Sequence, residues 1–266
     1  MESLYPLLML PGFDPRPWGT LDLSPIYPNH QFAEKIGEAW LTGDDCKVAN
    51  APFGGKTLSQ LSQQYQRDLL GDAARDATRF PLLAKFLFPH EKLSVQVHPD
   101  DEQARRIGQP WGKTECWYVA HTKPGSQIAL GLKPGASAAQ LEAAIRENRA
   151  EQLLNWLDVH AGDMIYVAGG TVHTLGPGSV IVEIQQQSDT TYRLYDYGRG
   201  RELHLKDGMA AVNLWWTGSM PKKHSSFQPV TIRAGVRCRF WWRQKDAVRL
   251  RRLARNLLLS PRATQS

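Results

Sequence analysis

Four side chains in the middle of the chain have the chemistry of metal ligands: Gln96, His98, Glu115 and His173. Imidazole nitrogens and carboxylate or amide oxygens bind hard and borderline divalent ions. A set of this kind that leaves a coordination position open is typical of catalytic rather than structural metal sites. We therefore expect the four side chains to converge on one ion.

The first two of these residues lie in a segment that predicts a β-strand. Polar residues alternate with valines across residues 94–98. A strand has a period of two, so Ser94, Gln96 and His98 would share one face and the valines would take the other. Two donors on one face, two residues apart, can reach the same ion.

The other two residues lie in segments of similar character. Glu115 belongs to an alternating, β-rich run over residues 113–119, and His173 follows a strand that a glycine turn closes at Gly169 and Gly170. Such patterns predict half-buried strands and a tight connection. Convergence of these strands would require a closed or two-layered β-structure.

Several segments, taken in chain order, resemble type I phosphomannose isomerases, zinc-dependent isomerases of the cupin superfamily. The resemblance runs over roughly residues 5 to 215 and includes Trp18-Gly19, residues 36–40, residues 80–85, the Gln96-x-His98 and Lys113-x-Glu115 pairs, Gly170-x-x-His173 and residues 188–193. Gln96 stands where most cupins have a histidine, and this departure is what favours the isomerase family over other cupins.

The resemblance implies a mainly β fold, the cupin double-stranded β-barrel or jelly roll, with inserted helices. Helical spacing of apolar residues places those helices at about 57–77 and 137–157. We expect residues 1–220 to form the cupin catalytic domain. Residues 221–266 are basic and would form either a degenerate or truncated second β-lobe, which we favour, or an added amphipathic helix over about 248–259.

The same resemblance implies a metal-dependent isomerase that interconverts mannose 6-phosphate and fructose 6-phosphate through an enediol. It suggests one Zn²⁺ per chain, although the residues alone leave manganese, iron and cobalt open. The residues expected at the site fall into three groups: metal ligands Gln96, His98, Glu115 and His173; catalytic residues Arg193, Lys113 and Glu183; and substrate-binding residues Ser94, Lys85 and Asp189. Asp189 is further expected to support Arg193. Glu183 is expected either to transfer the proton or to hold a sugar hydroxyl, and a metal-bound water or a histidine could equally serve as the base.

Two other functions use the same residues. A non-catalytic cupin could bind a sugar phosphate as a sensor, and a metal oxygenase could use two histidines and one carboxylate. The oxygenase is less favoured, because Gln96 and the surrounding Lys and Arg residues suit an anionic sugar better. The presence of Lys113, Glu183 and Arg193 together favours an enzyme over a sensor.

Charge and composition limit the partners. The net charge of +6 comes from residues 221–266, which carry +11, while the preceding 220 residues carry −5. We therefore expect no nucleic-acid partner, and the absence of a long apolar run predicts no membrane partner. Three cysteines at wide spacing indicate a reducing cytoplasm. We expect a monomer whose partner is a hexose 6-phosphate.

Overall fold

The computed structural model describes residues 3–71, 78–213, 230–232 and 236–238, and two antiparallel sheets dominate it. Strands are numbered along the chain. The six-stranded sheet contains, in spatial order, β1 (Gly12–Thr20), β2 (Ile36–Trp40), β3 (Leu82–Leu87), β10 (Ser179–Gln186), β5 (Glu115–Thr122) and β8 (Met164–Val167). The five-stranded sheet contains β11 (Tyr192–Tyr195), β4 (Val95–Val97), β9 (His173–Leu175), β6 (Gln127–Leu132) and β7 (Leu154–Asp158). The prediction of a mainly β fold, with two antiparallel sheets that face each other, is confirmed.

The two sheets face each other across a hydrophobic core. Trp117 and Ile181 from the six-stranded sheet pack in one cluster with Ile128, Leu130 and Leu175 from the five-stranded sheet. All five side chains are at most 1% exposed. This core fills one part of the space between the sheets, and the polar residues of the site occupy the rest.

The outer faces of both sheets are also covered. Val95 and Val97 of β4 belong to a second cluster that includes residues of α4 (Ala138–Arg146) and α5 (Leu205–Ala211). A third cluster covers the six-stranded sheet and contains Phe86. Strands covered on both faces cannot shift register without burying polar side chains, so the position of each site residue is well specified.

The helix predicted over 57–77 is shorter and divided. Thr57 caps α1 (Leu58–Tyr65) through a capping box with Gln60. Gln66 then adopts a positive φ of 44°, which ends the helix, and α2 (Arg67–Leu70) follows. Residues 72–77 lie outside the described part of the chain.

The helix predicted over 137–157 is wrong in its second half. Helix α4 starts after the Ser137 cap and ends at Arg146, and Asn148 leaves helical geometry with a φ of 57°. After a 3₁₀ turn the chain forms β7, which pairs with β6. Leu154 and Trp156 continue the helical spacing in sequence, but pairing with β6 makes them alternate residues of a strand on the outer core.

Helix α3 (Asp101–Arg106) follows directly after the segment that carries His98. Asp100 caps it and forms a capping box with Gln103. This cap fixes the direction of the chain just after a predicted metal ligand.

The division at residue 220 stays a prediction. Strands β12 (Val230–Ile232) and β13 (Val236–Cys238) pair with each other, while the basic segment expected to be helical, residues 248–259, lies outside the described residues. Among the residues that were described, no helix has the length and apolar character needed to cross a membrane.

Candidate active site

The predicted ligands of β4 and β9 lie side by side on the five-stranded sheet. Gln96 and His173 are paired across the two strands, with 3.3 Å between Gln96 Nε2 and His173 Nε2. A flip of the Gln96 amide exchanges its oxygen and nitrogen, so either atom can face His173 at this distance. Ser94 Oγ donates to Gln96 Oε1 at 3.3 Å, so one face of the strand carries the polar residues as predicted.

Glu115 approaches from the opposite sheet and completes a compact group. The ligand atoms of His98, Glu115 and His173 all lie within 4.8 Å of one another. His98 Nε2 is 3.2 Å from Glu115 Oε1, and His173 Nε2 is 3.8 Å from Glu115 Oε2. Each of the three residues is 1% exposed. The predicted convergence of these residues is confirmed.

Hydrogen bonding prepares both imidazoles for a ligand. His98 Nδ1 lies 3.0 Å from the Thr190 carbonyl, and His173 Nδ1 lies 2.8 Å from the Thr171 carbonyl. A carbonyl can only accept, so each Nδ1 carries the proton and each Nε2 directs a lone pair toward the cluster. This arrangement orients histidines in protein metal sites.

Two buried atoms of the cluster have no hydrogen-bond partner among the described residues: His98 Nε2 and Glu115 Oε1. Unpaired polar atoms at full burial are costly, and a shared cation would satisfy both. Burial lowers the pKa of His98 to about 3 and also lowers that of His173, so both are neutral. Burial opposes ionisation of Glu115, but the Lys113 ammonium, whose Nζ lies 3.5 Å from Glu115 Oε1, holds its pKa well below the ordinary value. The protonation states are those of metal ligands.

The backbone joins the three ligand-bearing segments at one junction just after His98. The Gly170 N–H donates to the His98 carbonyl at 2.7 Å, and the Lys113 N–H donates to the Pro99 carbonyl at 2.9 Å. The segment that leads to His173 and the segment that leads to Glu115 are therefore both bound to the chain at His98 and Pro99.

Two glycines make this junction possible. A Cβ at Gly112 would lie 2.4 Å from the backbone carbon of Asp100, and one at Gly169 would lie 2.6 Å from the Asp100 Cα. Both neighbours are backbone atoms that cannot move aside easily. Glycine is required at both positions because the three segments approach so closely.

The cluster borders a cavity of about 460 Å³ between the sheets. Every residue predicted for catalysis or substrate binding lines it: Lys85, Ser94, Lys113, Glu183, Asp189 and Arg193. Gln96 and His173 form part of the same wall. The structure thus places the predicted site residues together, although their roles stay predictions.

Lys85 and Glu183 form an ion pair inside this cavity. Lys85 Nζ lies 3.2 Å from Glu183 Oε1 and 3.4 Å from Glu38 Oε2. Lys85 and Glu183 are each 4% exposed, and they face each other across β3 and β10. Burial works against the charged ammonium, but the two carboxylates raise the pKa of Lys85, which is therefore a cation.

Glu183 also shares a hydrogen-bond donor with the metal-type cluster. The Trp117 indole N–H lies 2.9 Å from Glu183 Oε2 and 3.0 Å from Glu115 Oε2. Burial, followed by the nearby charge of Glu115, raises the pKa of Glu183 to about 7. A carboxyl with a pKa near neutrality can both give and accept a proton.

Lys113 provides positive charge beside the cluster, and Arg193 adds a second cation to the cavity wall. Lys113 Nζ lies 3.5 Å from Glu115 Oε1 and donates to Thr191 Oγ1 at 3.2 Å. Arg193 Nη1 donates to the Glu202 carbonyl at 2.9 Å. Its Nε atom is buried and has no hydrogen-bond partner within the described residues.

The expected support of Arg193 by Asp189 is not seen. Both residues line the cavity, but within the described residues Asp189 makes no hydrogen bond or ion pair to the guanidinium. The register explains the difference, because Arg193 is paired with Gln96 on β4 while Asp189 lies in the connection before β11.

Sequence reasoning missed Glu38, Arg16, Trp117 and Arg201. Glu38 is a single acid in the apolar strand β2, and Glu183 has a similar local pattern as the one acid in the apolar residues 180–184 of β10. The indole of Trp117 has no distinctive local pattern, because its hydrogen bonds to two carboxylates depend on pairing between distant strands. Arg16 and Arg201 line the cavity from segments without a distinctive local pattern.

Two facing antiparallel sheets that carry a buried His-Glu-His group beside a polar cavity place the protein among β-proteins with a metal-type ligand group. Comparison with known proteins narrows the class. Residues 22–109 match the model of the family described as "Phosphomannose isomerase type I, catalytic domain". The chain is 37% identical to mannose-6-phosphate isomerase ManA of Bacillus subtilis (strain 168) over 234 residues, which cover 83% of this chain and 71% of that protein.

Solved structures agree with the sequence comparison. The fold matches the crystal structure of the mannose 6-phosphate isomerase from Bacillus subtilis with a TM-score of 0.74 and 33% identity, over 85% of this chain and 73% of that one. It also shares the fold of a mannose 6-phosphate isomerase described as holo and zinc-bound, with a TM-score of 0.60 at 16% identity, over 84% and 77% of the two chains. The chain belongs to the type I phosphomannose isomerase family.

Proposed function

We propose that the protein is a metal-dependent aldose-ketose isomerase that interconverts mannose 6-phosphate and fructose 6-phosphate through an enediol. The observation that carries this proposal is the buried group of His98, Glu115 and His173, which reaches through His173 the wall of a cavity that Glu183 and Arg193 also line. Family membership supports an isomerase rather than a sensor that lacks catalytic activity.

Zinc is the metal that fits best. Two neutral imidazoles and a carboxylate form a donor set that zinc accepts, and the Gln96 amide lies close enough to add an oxygen. The structural relative described as zinc-bound supports the same choice. One ion per chain, held by Gln96, His98, Glu115 and His173, would supply electrophilic stabilisation of the negative charge that develops on the substrate oxygen.

The remaining chemistry belongs to side chains of the cavity. Moving a proton between C1 and C2 needs a group that accepts and returns it, and Glu183 has the pKa for both steps. Arg193 would lie beside the reacting carbons, where its Nε, which has no hydrogen-bond partner in the described part of the chain, can donate to a developing oxyanion. Lys113 would add positive charge on the same side.

Substrate binding is assigned to Ser94, Lys85 and Asp189. The Ser94 hydroxyl and the Asp189 carboxylate suit sugar hydroxyls, since both line the cavity with polar atoms. Lys85 has its ammonium held between two carboxylates, so its contact with the substrate would be shared with those groups. We expect the enzyme to act as a monomer in the cytoplasm, on a hexose 6-phosphate, without nucleic-acid or membrane partners.

A coupled assay on metal-loaded protein tests the proposal. We expect Arg193→Ala to lower turnover by roughly 100-fold or more, as for the loss of an oxyanion donor, while the zinc content measured by elemental analysis stays at the wild-type level. Arg146→Ala, at a side chain that is 65% exposed, serves as the matched control and should retain full activity. If zinc-loaded wild-type protein isomerises neither sugar phosphate, the proposal is wrong.

A further inference from the structure

One buried acid in the cavity, Glu38, has no role in the proposed chemistry. It lies on β2, is 7% exposed and lines the same cavity as Glu183. A carboxylate at this depth loses its hydration and must be held by donors that replace water. Its partners therefore indicate what it does.

Three donors hold Glu38 in one orientation. The Trp40 indole N–H donates to Oε2 at 2.7 Å, and the Arg16 guanidinium reaches Oε1 from Nε at 3.3 Å and Oε2 from Nη2 at 3.4 Å. Arg16 also pairs with Asp14 on the same strand. Burial raises the pKa of Glu38, but the positive charges of Lys85 and Arg16 lower it by more. The resulting pKa is about 2. Glu38 is thus a fixed negative charge.

The remaining contact of this carboxylate is Lys85. Lys85 Nζ sits between Glu38 Oε2 at 3.4 Å and Glu183 Oε1 at 3.2 Å, and it lies 5.4 Å above the centre of the Trp40 ring. A lysine has four flexible bonds, and three contacts from different directions remove that freedom. Trp40 takes part twice, because its ring faces Lys85 while its N–H holds Glu38.

We infer that Glu38 is a positioning residue that anchors the Lys85 ammonium opposite Glu183, so that the proton-transferring carboxyl keeps one orientation toward the substrate. The inference rests on the proposed function and assigns Glu38 no contact with the substrate. Without the anchor, Lys85 would turn fully to Glu183 or leave it, and either movement would reorient the carboxyl by the small distances to which catalysis is sensitive.

The test compares Glu38→Gln, Lys85→Met and the double variant in full-length, zinc-loaded enzyme with mannose 6-phosphate. The glutamine keeps the shape of Glu38 and can still accept from Trp40, but it removes the charge that holds Lys85. We expect Glu38→Gln to lower kcat by roughly tenfold or more with KM within about threefold, which is the signature of an interaction that acts on the transition state. Glu142→Gln, at an exposed ion pair with Arg146, is the matched control.

The double variant separates positioning from a purely structural role. If Glu38 acts through Lys85, then adding Glu38→Gln to Lys85→Met should lower kcat by no more than about twofold further. Full additivity of the two losses, or a Glu38→Gln enzyme whose kcat is within about twofold of wild type, would overturn the inference. A rise in KM alone would also overturn it, because Glu38 would then affect binding only.

A second variant decides the matter if Glu38→Gln does not fold. Trp40→Phe keeps an aromatic face for Lys85 and removes the N–H that holds Glu38, so kcat should fall by roughly threefold or more at unchanged KM. An unaltered kcat in this variant would contradict the inference. If wild-type enzyme shows no turnover, the proposed function fails, and a crystal structure of Glu38→Gln then tests positioning: Lys85 should leave its place, and an unmoved Lys85 contradicts the inference.

Discussion

The two sheets that face the cavity contribute different chemistry. Apart from Arg193 on β11, the five-stranded sheet presents uncharged donors, Gln96 and His173 among them, whose geometry is fixed by strand pairing and by backbone carbonyls. The six-stranded sheet presents ionisable groups, Lys85 and Glu183 among them, which are fixed by contacts between side chains. Glu115 alone of the metal-type group comes from the charged side.

This difference bears on the proposed function, in which one cavity would hold a metal and move a proton. Neutral donors held by the backbone give a ligand set that does not depend on the ionisation of its neighbours. A network of buried charges gives a carboxyl whose pKa is far from that in water. The first arrangement should resist changes of pH, and the second should respond to them.

The largest effect is expected from removal of a neutral ligand. His173→Ala deletes one imidazole of the metal-type group, and we expect zinc affinity to fall by at least about 100-fold, since even outer contacts of metal sites are worth 10-fold to 100-fold. Titration with zinc in the presence of a competing chelator measures this. His160→Ala, at a side chain that is 81% exposed, is the control. Undiminished affinity in His173→Ala would show that the histidine is not a ligand.

A smaller effect is expected from the charged sheet, and it depends on pH. Glu183 has a folded-state pKa of about 7, above the value of about 4.3 in an unfolded chain. Folded protein keeps a proton that unfolded protein has lost, so the metal-free protein should lose stability as pH rises from about 4.3 to about 7, by on the order of 1 to 3 kcal/mol.

Glu183→Gln should abolish that loss, because the amide does not titrate. The free energies of unfolding of the two metal-free proteins, measured by denaturant titration at several pH values, should therefore diverge over this range, with the variant becoming the more stable. Parallel curves would show that Glu183 is ionised throughout and would remove the main reason to assign it proton transfer.

The smallest dependence on pH is expected behind the neutral donors. Val97 is fully buried on the outer face of β4, and Val97→Ala should lower the free energy of unfolding by roughly 1 to 3 kcal/mol through lost packing. The cost should be the same at pH 5 and pH 7, since no charge is involved. A pH-dependent cost would contradict the distinction between the two sheets.

The parts of the site that the sequence predicts are those with a local pattern. Alternation over residues 94–98 places Gln96 and His98 on one face of a strand, and as expected Gln96 lines the cavity while His98 joins the metal-type group. Glu183 stands out as an acid among β-branched residues. Glu38 carries the same signal in β2, and the same reasoning applied evenly along the chain would have identified it.

The parts that the sequence does not predict depend on contacts between distant segments. The spacing of Leu154 and Trp156 fits a helix, and only pairing with β6 makes this segment a strand. The shared donor Trp117 likewise becomes visible when β5 and β10 are placed side by side. Local propensity is a weak guide wherever a partner strand decides the conformation.

Gly112 and Gly169 have a consequence for how sequences of this kind should be compared. Neither residue carries a functional group, yet an alanine at either position would push apart the three segments that bring His98, Glu115 and His173 together. A homologue could therefore retain each reactive side chain and still be unable to bring these side chains together at one site. Whether a relative can form this site is better judged from the two glycine positions together with the predicted ligands than from the ligands alone.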